Sequence, residues 1–372
     1  MLYCANCGNP VNVGDKFCEK CETRLNADNV KTAEFIAQER HSFDNFEPDS
    51  FIVKRDLCGQ KIFDYRITHY LGNVSESDFY TAGSAKDGNT NKKTIQHIIL
   101  PSQESYEVLL RLNEYSKEKA DKVVQDCIYS INEEIPSFRL LCSEAGIPCI
   151  YEDVKVLFSE FSKVYHVFII MKPVTPFVHY ISEKSVTVRN VIEWGISISD
   201  QLSAIARSRN TYSAVDETNM FVDDEGSVYL GSRMRSTFKN NMYLSAYTNL
   251  NNLYLPPEDW EAEQDVYGIG MLLYLLLNRM RHPYITQYED KITGEKYSNA
   301  EKQRLSHCKA RLPHFAQNSM GRELLRTFSD VDEHIPNISE LGNVLRNSLN
   351  YITTEELNAV VINVNNQNTE TK

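Results

Sequence analysis

Apolar residues in the first half of the chain come in short, dense runs: Tyr65 to Leu71, Phe79 to Ala82, Thr94 to Leu100, Val154 to Phe158 and Val164 to Met171, each rich in Ile, Val, Tyr or Phe. Such runs predict β-strands. Further on the rhythm changes. Val191, Gly195, Ile198, Leu202 and Ile205, and later Val266, Ile269, Leu273 and Leu276, recur every three or four positions and predict two helices with one buried face each. Between strands and helices lies a long stretch, Pro101 to Pro148. Tyr106, Leu109, Leu110 and Leu112, then Val123, Val124 and Cys127, predict an added helix or two before a helix beginning at Pro136, which interrupts the pattern. Strands first and helices later make an α+β chain with a sheet-rich lobe and a helix-rich lobe. Residues 27–50 are polar without rhythm and predict a linker, and 356–372 end in a polar, low-complexity run that predicts a disordered tail.

Charge narrows the function classes. Acidic side chains number 51 against 39 basic ones, a net charge of −12 that repels phosphate backbones and anionic lipid, so nucleic-acid binding is not expected. The longest apolar run, Gly268 to Leu277, is about half of what a membrane-spanning helix needs, and the polar start lacks a signal-peptide core. A cytoplasmic location without membrane contact is the expectation.

Four of the nine cysteines fall in the first 21 positions, as Cys4-Ala-Asn-Cys7-Gly8 and Cys18-Glu-Lys-Cys21. In each pair a two-residue gap lets one turn aim both sulfurs at the same ion, and four thiolates close a tetrahedral zinc site. A segment as short as 1–26 buries too little apolar surface to fold alone, so the metal would supply its folding free energy, in a structural role. Its charges balance, with Lys16, Lys20 and Arg24 against Asp15, Glu19 and Glu22, which favours a protein contact over a nucleic-acid grip. The segment resembles the small zinc ribbons at the front of many prokaryotic regulatory proteins.

From Tyr65 to about Asn350 the order of landmarks resembles the eukaryotic-like protein kinase family. Residues 65–72 (YRITHYLG) are similar to the strand entering a glycine-rich loop, and 167–174 (VFIIMKPV) to the strand leading to the hinge between lobes. Residues 219–231 (NMFVDDEGSVYLG) resemble the end of a catalytic loop with its following hairpin. Pro256-Pro257-Glu258 stands where the family has Ala-Pro-Glu, and Asp265-Val-Tyr-Gly-Ile-Gly270 resembles the start of the central helix. The resemblance implies a bilobal fold, with an N-lobe at about 51–172 and a C-lobe at about 173–350, and structural roles for Glu258 and Asp265.

The charge-bearing parts that phosphoryl transfer requires are replaced. The phosphate loop keeps Gly72 and adds Glu76, and the lysine position falls on His97. His-Arg-Asp aligns with Tyr212-Ser213-Ala214, which leaves no catalytic carboxylate; Asp216 comes two residues late. Asp-Phe-Gly aligns with Ser232-Arg233-Met234, so of the metal ligands Asn219 alone is kept. Losing both aspartates removes most of the transition-state stabilisation. The sequence therefore reads as a zinc ribbon joined to a pseudokinase, not an enzyme, in which ATP and Mg2+ are not expected and a protein partner is. Two alternatives stand beside it: a kinase-fold enzyme with atypical nucleotide binding or transfer through Gly72, His97, Asn219 and Ser232, and a nucleic-acid adaptor acting through the ribbon.

Overall fold

The computed structural model describes residues 2–4, 10–11, 30–32, 57–74, 77–84, 91–101, 110–111, 116–159, 164–208, 212, 215–232, 264–280, 283, 310–328 and 334–363, the first three ranges and residues 318–319 by backbone alone. The thiols of Cys4, Cys7, Cys18 and Cys21, and Ala214, Arg233, Met234, residues 240–254 and Glu258, lie outside the description. Three short strands, β1 (Leu2–Cys4), β2 (Pro10–Val11) and β3 (Val30–Thr32), pair antiparallel in the order β2-β1-β3.

The chain divides into two units, Met1–Ile128 with Tyr151–Pro173, and Tyr129–Ile150 with Val174–Lys372. The first is built on a curled antiparallel sheet of six strands: β4 (Lys61–Ile62), β5 (Tyr65–Val74), β6 (Ser77–Ser84), β7 (Lys92–Leu100), β8 (Tyr151–Ser159) and β9 (Val164–Met171), in the order β4-β5-β6-β7-β9-β8. All five predicted strands are present, most of them longer than the apolar run that announced them. Pairing carries a strand past its apolar centre into polar ends such as Lys92 and Asn73. Two bulges in β5, between Ile67 and His69 and between Tyr70 and Gly72, bend the sheet, and Gly72 takes the φ of +130° that an L side chain rarely adopts. One face carries a core of Leu57, Ile62, Ile67, Tyr80, Ala82, Ile95 and Phe168. Residues directly opposite one another across antiparallel strands share a face, so Phe79, Gln96 and Ile169 belong to the other.

Helix α1 (Lys117–Ala145) runs unbroken through Pro136, contrary to the predicted interruption. Buried positions Ala120, Val124, Cys127, Ile131, Ile135, Phe138 and Cys142 follow one stripe on both sides of the proline, and that burial outweighs the missing amide donor. The helix ends in a left-handed cap at Gly146, φ +69°, where Ile147 N–H donates to Cys142 C=O at 2.9 Å.

The second unit is mostly helical: α2 (Phe177–Glu183), α3 (Val188–Arg207), α4 (Gln264–Leu277), α5 (Arg322–Phe328), α6 (Ile338–Ser348) and α7 (Thr354–Leu357). The two predicted helices are α3 and α4. A capping box starts α3: Thr187 Oγ1 accepts from Asn190 N–H at 3.3 Å, and Asn190 Oδ1 accepts from Thr187 N–H at 3.0 Å. At Gly195 three helices meet, since a Cβ there would lie 2.7 Å from Leu273 Cδ1 of α4 and 3.0 Å from Leu345 Cδ1 of α6. Every α4 residue from Asp265 to Leu277 is buried, so this helix is enclosed on all sides rather than on the one face its period predicts. Short strands complete the unit: β10 (Thr175–Pro176), β12 (Met220–Val222) and β13 (Val228–Leu230) form one sheet, and β11 (Val186–Thr187) pairs with β14 (Val360–Ile362). Residues 356–363 of the expected tail are thus part of this unit, with Leu357, Val361 and Ile362 buried. Among the described residues, no helix is long and apolar enough to cross a membrane.

Candidate functional site

The hairpin β12–β13 is held on α3 by two side chains seven positions apart, hence on one helix face. Trp194 Nε1–H donates to Gly226 C=O at 3.0 Å. Gln201 Nε2–H donates to Val228 C=O at 3.0 Å, while its Oε1 accepts from Leu230 N–H at 3.4 Å, so one side-chain amide occupies the outer edge of β13 as a neighbouring strand would. At the turn Asp223 Oδ1 accepts from Glu225 N–H at 3.0 Å and Ser227 N–H at 2.9 Å, and Gly226 takes φ +87°.

Asn219 ends the 3₁₀ turn Glu217–Asn219 just before β12. The turn is capped by Asp216, whose Oδ1 accepts from Thr218 N–H at 2.7 Å and Thr218 Oγ1–H at 2.5 Å; the carboxylate that comes two residues late for catalysis is a buried cap. Asn219 Nδ2 donates both its hydrogens, to Tyr212 Oη at 3.0 Å and to Ser232 C=O at 3.0 Å. Tyr212 Oη–H in turn donates to Gly231 C=O at 2.9 Å, and Gly231 N–H donates to Asn219 C=O at 2.8 Å. Asn219 Oδ1 packs on the bare Cα of Gly231, where a Cβ would come within 2.3 Å of it. Tyr212, Asn219 and Ser232 are all buried, Tyr212 and Ser232 at 1% exposure. Tyr212, the first residue of the stretch aligned with His-Arg-Asp, thus joins Asn219 and Ser232 in a closed polar latch. Gly231 and Gln201 are the contributions sequence reasoning missed. The signal for Gln201 was an amide on the buried stripe of a helix, seven residues from Trp194.

In the sheet unit, β5 and β6 stay paired to Val74 and Ser77, and Glu76 between them lies outside the described residues. At this end of the hairpin Asp78 Oδ1 accepts from Asn73 Nδ2–H at 2.9 Å and Tyr70 Oη–H at 3.1 Å. Gly72 lies within the paired strand. The hairpin end thus carries the carboxylate of Asp78 as a hydrogen-bond acceptor.

On β7, His97 is 3% exposed, opposite Phe168, and its ring stacks on that phenyl at 4.6 Å with 7° between planes. Its Nε2 lies 3.0 Å from His166 Nδ1 in a nearly parallel ring. Burial, reinforced by His166, pushes the His97 pKa down to about 3, and burial pushes His166 down to about 4. Both imidazoles are neutral at pH 7. The neighbouring Gln96 points to the other face and donates Nε2–H to Ser77 Oγ at 2.9 Å. Neither face of β7 between Thr94 and Ile98 carries a cation. Lys93, farther along, pairs with Glu152 at 2.6 Å. Asp265 is buried in the first turn of α4, where a carboxylate suits the helix N-terminus.

No protein-family model matches the sequence, and no curated protein matches it.

Proposed function

We propose that the chain is a catalytically inactive, protein-kinase-like regulator that acts in the cytoplasm by binding another protein, with the Cys4, Cys7, Cys18, Cys21 segment as a structural zinc ribbon and second contact module. The observation that carries this reading is the latch around Asn219. In the resemblance that residue is the one metal ligand kept, yet both its amide hydrogens are given to Tyr212 and Ser232 and its oxygen is wedged against Gly231. A magnesium ion would need that oxygen turned outward, at the cost of burying unpaired polar groups. Other features agree. An antiparallel curled sheet precedes a mostly helical region. The strand expected to carry the phosphate-binding lysine offers Gln96 on one face and a neutral His97 on the other, and the expected phosphate loop ends beside the acceptor Asp78. What remains for function is surface, and a folded scaffold can dock a partner without chemistry of its own.

Titration calorimetry with ATP, with and without magnesium, tests the reading. No heat at millimolar ATP, with no thermal shift, is the expected result; a ligand at about 100 times its dissociation constant adds about 2.7 kcal/mol of stability, an easily seen change. Tight, magnesium-dependent binding would overturn it, and magnesium-dependent turnover that Asn219→Ala abolishes would mark an enzyme of unusual nucleotide chemistry.

A further inference from the structure

We propose that His97 and His166 form an acid-released clip that ties β7 to β9 inside the sheet, so that acidification opens the sheet unit ahead of the helical unit. The geometry is specific. The two rings are separated by an N···N distance of 3.0 Å with 8° between their planes, so the facing nitrogens share one hydrogen: one donates and the other accepts. A proton added to the outer nitrogen of the donor ring would place a charge among Phe168, Ile95 and their neighbours, at 3% exposure for each imidazole, and charging both rings would set two N–H groups head to head across the gap.

Among the described residues, three charged side chains face this pair or the phenyl stacked on it, and each has a partner of its own. Asp78 of β6 stands opposite His97, but its Oδ1 is held by Asn73 and Tyr70 at the hairpin end. From β8, Leu157 faces His166 and Lys155 faces Phe168; Lys155 is cationic and paired with Asp153 at 2.7 Å. Lys93, on the same face of β7, is paired with Glu152.

The direction follows from linkage. Both imidazoles are held below their ordinary value in the folded chain, at about 3 and about 4, so the opened chain takes up protons first as pH falls through the region of 6.5. The clip contributes fully above that pH and weakens progressively toward pH 4. Each imidazole raises the opening constant by about tenfold per pH unit across that window.

Hydrogen exchange followed by mass spectrometry on the full chain, corrected for the intrinsic pH dependence of exchange, tests this. Between pH 7 and pH 5 amides of β6, β7 and β9 are expected to lose protection more steeply than those of α3 and α4. The double variant His97→Gln with His166→Gln, neutral at every pH, is expected to flatten that difference. Proton resonances of the two imidazoles in the wild-type chain supply an arm that does not depend on the variant folding: both are expected to keep neutral shifts down to the pH at which the sheet opens. Equal protection of the sheet at pH 7 and pH 5, or imidazoles that titrate near 6.5 with the sheet intact, would overturn the proposal. The outcome is independent of the calorimetric test of nucleotide binding.

Discussion

A methyl group at position 231 would land 2.3 Å from Asn219 Oδ1 and 2.7 Å from Asn219 C=O. Neither oxygen can retreat, because the side chain is anchored at both hydrogens and the carbonyl accepts from Gly231 itself. Gly231→Ala is therefore expected to destabilise the protein by about 1–3 kcal/mol, read as a lower urea midpoint. Gly146→Ala makes a useful contrast, since nothing lies within 4 Å of its added Cβ and the left-handed φ of +69° alone opposes it. That change is expected to cost about 1 kcal/mol. The two glycines are alike in sequence and differ in physics: one is required by space, the other by backbone angle.

At the scale of elements, the proline in α1 gives the clearest expectation. Pro136 is exposed, so its ring contributes little burial, while its missing N–H and its ring work against the helix that runs through it. Pro136→Ala should raise the thermal midpoint, with a gain of about 1–3 kcal/mol. Sequence reasoning found the elements that own a period: five strands with dense β-branched runs, and α3 and α4 with stripes at three and four. It read Pro136 as a break because local propensity was weighed without the buried stripe that continues from Ile131 to Phe138. The pairs β10 to β14, each two or three residues long, carry no period at all, and only tertiary neighbours define them. The latch was half legible: alignment brought Tyr212, Asn219 and Ser232 forward as degenerate positions, but that they bond to one another depends on hydrogen-bond directions that residue identity does not encode.

For the whole molecule, the proposed ribbon and the body that follows it should respond separately to metal. One zinc per chain is expected by elemental analysis, lost on replacing Cys18 and Cys21 by Ser, with the unfolding midpoint of the large body unchanged; a body that unfolds with zinc removal would tie the two together. Trp194 carries a different consequence. It falls in the second unit, its indole buried beside Phe177 with its N–H bonded to the β12–β13 turn. Ultraviolet-excited emission from Trp194 is accordingly a gauge of the helical unit alone. A blue-shifted, native-looking spectrum in mild acid would certify that unit and remain blind to a sheet that had already come apart.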